Sequence, residues 1–159
     1  MWTHFTRPSS GLTAFSPEGG VYLGGYSTFT TSPQTNSLPP GVNIPLPGMV
    51  THSYQTGIFD NETATAFGGI GTAQDGALVY VPTFGTQGLY IALGGATTGP
   101  FEDQNNPPVK RQMDNITVYD PDSQSWYWQQ ATGDIPAPRI NTCATGAQSN
   151  SGGNVTYEM

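Results

Sequence analysis

Residues 21–25 read Val-Tyr-Leu-Gly-Gly and residues 89–95 read Leu-Tyr-Ile-Ala-Leu-Gly-Gly, so the chain twice runs a short apolar stretch into a pair of glycines. Gly24 and Gly94 stand 70 residues apart. Apolar runs this short, rich in β-branched and aromatic residues and ended by glycine, are strands rather than helices. The glycine pair has a physical reading of its own. Without Cβ atoms the backbone can take positive φ at a strand end and let a neighbouring chain approach closely.

The similarity extends downstream of each pair. A long stretch of low hydrophobicity follows, Thr30–Pro47 and then Ala96–Met113, each with two adjacent prolines (Pro39-Pro40, Pro107-Pro108) that cannot keep a regular ladder. Both are read as surface loops. Next comes a strand ending in tyrosine (Val50–Tyr54, Ile116–Tyr119). An aromatic-containing turn segment follows, Gly57–Asn61 in the first copy and Asp120–Trp126 in the second. A third copy starts at Pro138–Ala144, aligned with Arg7–Thr13, and residues 154–159 resemble the opening of another glycine-pair strand. The remaining strands are expected at Leu12–Phe15, Val21–Gly25, Met49–Tyr54, Ala77–Pro82, Gly88–Leu93, Asn115–Asp120, Ser125–Gln130, Thr142–Ala147 and Asn154–Met159.

Composition agrees with an all-β chain. Of 159 residues 21 are Gly and 14 Pro, which is turn chemistry, and only 9% are charged. Three Trp, eight Tyr and seven Phe need a packed interior and argue against disorder. The net charge of −7 is the wrong sign for neutralising phosphates or lying on an anionic bilayer, so nucleic acid is excluded as the expected partner. No apolar run is long enough to span a membrane as a helix, and the N-terminus lacks the basic start and apolar run of a signal peptide.

The order strand-Gly-Gly, long loop, strand-Tyr-Asp, tryptophan, then Gly133–Arg139 and a Cys-Ala strand resembles kelch repeats, in particular those of fungal proteins in the galactose-oxidase-like propeller group. Residues 72–147 carry most of the resemblance. In the weaker copy over 12–66, Phe59 stands where tryptophan is usual and no aspartate follows Tyr54. The resemblance implies an all-β fold of antiparallel four-stranded kelch blades, a partial β-propeller of about two and a half blades. The blade segments would be 7–67 and 72–132, with an incomplete one from 139. Its structural signature falls on Gly24, Gly25, Tyr54, Gly94, Gly95, Tyr119, Asp120, Trp126 and Arg139. Closure of a propeller takes four to eight blades, so the chain is expected to leave sheet edges and aromatic faces uncovered.

The residues for chemistry are sparse. His4 and His52 are the only histidines and occupy non-equivalent positions, and Cys143 is the only cysteine, read as a small buried apolar residue. They do not supply the two histidines, two tyrosines and tyrosine-linked cysteine of a copper-radical oxidase. Asp120 and Asp122 flank Pro121 in a turn, where Asp120 is expected to bond the backbone two residues on. Glycine-rich Gly94–Pro100 lacks the lysine and helix N-terminus of a phosphate cradle. No catalytic, cofactor or metal residue is assigned.

The expected function is a non-catalytic scaffold within a larger secreted or cell-surface protein, binding a protein or carbohydrate through the two long loops, with Asn36, Asn43, Glu102 and Asp103 as contact residues. A fragment of a copper-radical oxidase, a truncated product with no independent role, and a cytoplasmic location are the alternatives. Asn61, Asn115 and Asn154 sit in glycosylation sequons that a secretory route would use.

Overall fold

A computed structural model describes residues 8–64, 66–67, 73–99, 102–151 and 154–158. It is all-β. In chain order the strands are β1 (Leu12–Phe15), β2 (Gly19–Leu23), β3 (Tyr26–Ser27), β4 (Ile44–Pro45), β5 (Gly48–Ser53), β6 (Phe59–Thr63) and β7 (Ala77–Val81). There follow β8 (Leu89–Leu93), β9 (Ala96–Thr97), β10 (Val109–Lys110), β11 (Asn115–Asp120), β12 (Ser125–Gln130), β13 (Ala147–Ser151) and β14 (Asn154–Glu158). Two antiparallel sheets of four strands carry the architecture, β1-β2-β5-β6 and β7-β8-β11-β12, and β13 pairs with β14 as a separate hairpin. This is consistent with blades of a partial kelch propeller.

Side-chain alternation explains how the sheets meet. Along β1, Leu12 and Ala14 are buried while Thr13 and Phe15 face outward; β2 buries Val21 and Leu23 on the same side. Met49 of β5 joins them opposite Leu23. The second sheet answers with Leu78, Tyr90, Ala92 and Tyr119, with Tyr80 and Trp126 packed alongside. The core therefore lies between the sheets. Leu12, Leu23 and Met49 are almost wholly enclosed, each contributing about 1.5–3 kcal/mol by leaving water. β7 is buried on both faces because β1 packs on one side, while Ala77, Val79 and Val81 point to the other.

The two sheets are also joined through backbone at one rim. Ser10 (φ 59°) and Asp75 (φ 55°) take the left-handed conformation just before the first inner strand of a copy, and Asn141 (φ 55°) takes it at the corresponding point of the third. The Asp75 N–H donates to the Ser10 carbonyl at 2.8 Å, and the Asn141 N–H donates to the Asp75 carbonyl at 2.7 Å. Asp and Asn tolerate this conformation better than most residues. The glycine pairs abut the same line: Gly25 N–H donates to Ala73 O at 2.7 Å and Gly95 N–H to Arg139 O at 2.9 Å. At Gly25 (φ 78°) a Cβ would run into the Ser9 carbonyl oxygen, and at Gly95 (φ 78°) it would lie 2.5 Å from that of Gln74.

Several expected boundaries differ. The strand expected at Val21–Gly25 ends at Leu23, because both glycines turn away at positive φ. Gly57–Asn61, read as a turn segment, instead runs into β6: the turn lies at residues 54–56 and Phe59–Thr63 ladders onto β5. Its sequence Phe-Asp-Asn-Glu-Thr shows no apolar alternation because this outer strand is held by main-chain pairing and faces water. Residues 142–146 of the expected strand Thr142–Ala147 are irregular, and β13 begins at Ala147. They meet no facing strand among the described residues; β14 pairs only as far inward as Ala147. The long loops contain a 3₁₀ turn at Pro33–Thr35 and the short pairs β3-β4 and β10-β9. Among the described residues no helix is long and apolar enough to cross a membrane.

Candidate functional site

The long loops, the glycine pairs and the left-handed residues Ser10, Asp75 and Asn141 gather at one rim, since β1 and β7 start there and β2 and β8 return to it. At this loop rim the two long loops meet. Asn43 and Glu102 form a two-way backbone bridge, each N–H donating to the other's carbonyl at 2.9 Å. Asn43 Nδ2 also donates to Glu102 Oε1 at 3.2 Å, and Gln74 Nε2 donates to Glu102 Oε2 at 2.7 Å. Gln74 is 1% exposed, and its Oε1 has no hydrogen-bond partner among the described residues. Asp103 bends its own loop by accepting from the N–H groups of Asn105 and Asn106. Asn36 is exposed at the end of the 3₁₀ turn, apart from this bridge. Of the four contact residues expected from sequence, Asn43 and Glu102 come together, while Asp103 and Asn36 serve their own loops.

Beneath the rim sits Arg111, which the sequence reading passed over. Its N–H donates to Gly95 O at 2.9 Å, its Nη1 to Gly94 O at 3.0 Å and its Nη2 to Thr117 Oγ1 at 2.8 Å. The guanidinium lies 4.5 Å above the centre of the Phe67 ring. Burial pushes its pKa down to about 10. The residue clamps the second glycine pair to the sheet beneath it.

At the opposite rim, a cleft of about 200 Å³ opens between the sheets, lined among others by Ser16, Glu18, Asp60, Glu62, Tyr90 and Tyr119. The Tyr119 hydroxyl donates to Glu62 Oε2, joining one sheet to the next. Burial, and then this bond and the Glu62 charge, raise the Tyr119 pKa well above its ordinary value. Burial raises that of Tyr90 as well, helped by Glu18 and held back by a bond to Ser16.

The expected signature residues are placed as follows. Gly24, Gly25, Gly94 and Gly95 all have positive φ at the loop rim. Tyr119 and Trp126 face each other across β11 and β12, with ring centroids 4.9 Å apart. Asp120 accepts from the Ser123 hydroxyl at 2.8 Å and the Asp122 N–H at 3.0 Å, which lowers its pKa; it shapes the hairpin turn. Arg139 reaches the neighbouring sheet through its carbonyl, while its guanidinium is exposed and donates locally, to Ala137 O.

Tyr54 is not the counterpart of Tyr119. It lies beyond the end of β5 and is exposed; the ladder sets His52 opposite Phe59 as it sets Tyr119 opposite Trp126. Phe59 and Trp126 are 67 residues apart, and the same interval from Tyr119 leads to His52. The 67-residue spacing therefore matches His52, not Tyr54, to Tyr119. His52 stacks on Phe59 at 4.2 Å. Cys143, expected to be buried, is exposed, because no facing strand covers residues 142–146 among those described. His4 lies outside the described residues. Among the described residues no three His, Cys, Asp or Glu side chains converge as metal ligands. Asn61 and Asn115 are exposed, and Asn154 is the first residue of β14.

Repeated four-stranded antiparallel sheets are the architecture of propeller blades. No protein-family model matches the chain. It is similar to a kelch repeat-containing protein of Arthroderma benhamiae, 38% identical over 78 residues. The match covers 49% of this chain, and the chain spans only about a tenth of that relative, 10% of its length being aligned.

Proposed function

We propose that this chain is a non-catalytic kelch-type scaffold, part of a larger secreted or cell-surface protein, that binds a protein or carbohydrate at its loop rim. The observation that supports this reading is the bridge between Asn43 and Glu102. It fastens loops from successive blades into one polar surface seated on Gln74. Loops held on a rigid β-scaffold are where binding residues concentrate.

The test is binding of the 159-residue chain to glycan and peptide arrays, repeated with Asn43→Ala/Glu102→Ala and with a turn-rim control, Glu18→Gln. Binding that falls at least about tenfold with the loop variant and is kept by the control supports the reading. Ligands retained after both loops are shortened contradict it. N-glycans on exposed Asn61 and Asn115 in protein from its natural source are the expected mark of the secretory route, and bare asparagines there count against it.

A further inference from the structure

The first long loop carries a pattern that blade formation does not demand. Residues 27–37 place seven Ser or Thr in eleven positions, with Pro33 inside the run and Pro39-Pro40 just beyond it. The matching stretch of the second copy, residues 97–107, has two. Both copies nevertheless pair the strands on either side of the loop in the same antiparallel way, β2 with β5 and β8 with β11. The extra hydroxyls therefore serve something other than the ladder. Ser- and Thr-rich sequence interspersed with proline is the composition of O-glycosylated chain.

The structure sorts these hydroxyls. Ser27 and Thr31 are buried. Thr31 Oγ1 accepts from the Thr28 N–H at 2.7 Å, and Thr28 Oγ1 accepts from the Thr30 N–H at 3.2 Å. Thr35 Oγ1 accepts from the Ser32 N–H at 3.1 Å and donates to the Ser32 carbonyl at 3.0 Å, which closes the 3₁₀ turn. Thr30 and Ser37 are left exposed. The Thr30 hydroxyl lies 2.9 Å from that of Thr28, and an ether oxygen at Thr30 still accepts from Thr28, so a sugar there keeps the contact. Among the described residues the backbone bonds between Thr28 and Val42 are all local: Thr31 to Thr28, Thr35 to Ser32, Leu38 to Thr35 and Val42 to Pro39. The loop apex is thus a series of small turns outside the ladders, where a modifying enzyme reaches the chain without opening a sheet.

We propose that Thr30 and Ser37 are acceptors of O-linked sugars, an inference that rests on the secretory route proposed above. In the transfer the hydroxyl oxygen bonds to C1 of a sugar carried as a glycosyl phosphate. The bond from C1 to the phosphate oxygen breaks and its electron pair leaves with the phosphate, while the hydroxyl proton passes to a base of the transferase.

The experiment has two arms. The 159-residue chain is secreted from a eukaryotic cell behind a cleavable signal peptide, recovered from the medium and sequenced by mass spectrometry with fragmentation that keeps sugars on their side chains. Whole sugar units on Thr30 and Ser37 are expected, absent from Thr30→Ala/Ser37→Ala, with Thr86, exposed in the turn between β7 and β8, bare in both. A bare loop on the secreted chain, sugar on Thr86 in place of the loop, or phosphate on Ser32 in place of sugar overturns the proposal. The second arm sequences the protein from its natural source. N-glycans on Asn61 and Asn115 beside a bare loop overturn the proposal; bare asparagines and a bare loop there, with the secreted chain decorated, overturn the secretory reading alone and uphold the loop as an acceptor.

Discussion

Replacing Tyr119 by Phe removes one hydroxyl and leaves the ring in its packing between Tyr90 and Trp126. What is lost is the bond to the Glu62 carboxylate, the side-chain link between β11 of one sheet and β6 of the other. A hydrogen bond to a charged group contributes about 1.5–3 kcal/mol net. Glu62 is half-buried and can recover part of its hydration, so the expected loss is about 1–2 kcal/mol. For a chain of this length that lowers Tm by about 3–6 °C at neutral pH. A second effect follows from the raised pKa. Above the ordinary tyrosine value of 10 the unfolded chain gives up its proton while folded Tyr119 keeps it. The stability from this bond is complete below pH 10 and declines as pH rises beyond it. Urea titrations at steps from pH 7 to pH 11.5 read both effects. Tyr119→Phe should start lower and fall less steeply, with a residual slope from Tyr22, Tyr80 and Tyr90, whose pKa values burial also raises. A variant as stable as wild type at pH 7, with the same alkaline slope, refutes the link.

Gly25→Ala and Gly57→Ala separate backbone strain from collision: both glycines have positive φ, but nothing lies within 4 Å of a Cβ at Gly57, whereas at Gly25 it meets Ser9 and Gly11. Chemical denaturation should show about 1 kcal/mol lost at Gly57 and at least about 3 kcal/mol at Gly25; equal losses would contradict the close-approach argument. Arg111→Met keeps the side chain's bulk but leaves Gly94 O and Thr117 Oγ1 without their donor. The expected cost is about 2–4 kcal/mol by the same measurement, and an unchanged midpoint would show that the clamp is dispensable.

The repeat was legible because glycine pairs and aromatic positions answer local demands: no other residue fits Gly25 against Ser9, so the sequence must show it. Features set by tertiary contact were not. β6 is polar and held by its ladder, so nothing in Phe-Asp-Asn-Glu-Thr announces a strand. Arg111 is one cation in a proline-rich loop until the fold places Gly94 O and Phe67 around it. The bridge between Asn43 and Glu102 joins residues 59 apart, and the sequence could name the loops without saying that they touch.

The line of left-handed residues at the loop rim has a direction. Asp75 donates backward to Ser10, and Asn141 donates backward to Asp75, so the second and third copies are each fastened by a donor of their own to an acceptor that precedes it in the chain. A newly synthesised copy therefore meets this anchor already in place, while the N–H groups of Gly25 and Gly95 find their acceptors only when Ala73 and Arg139 of the next copy arrive. The same polarity suits growth by duplication: a copied repeat brings both its own donor and the acceptor that a further one will use, and nothing upstream has to change.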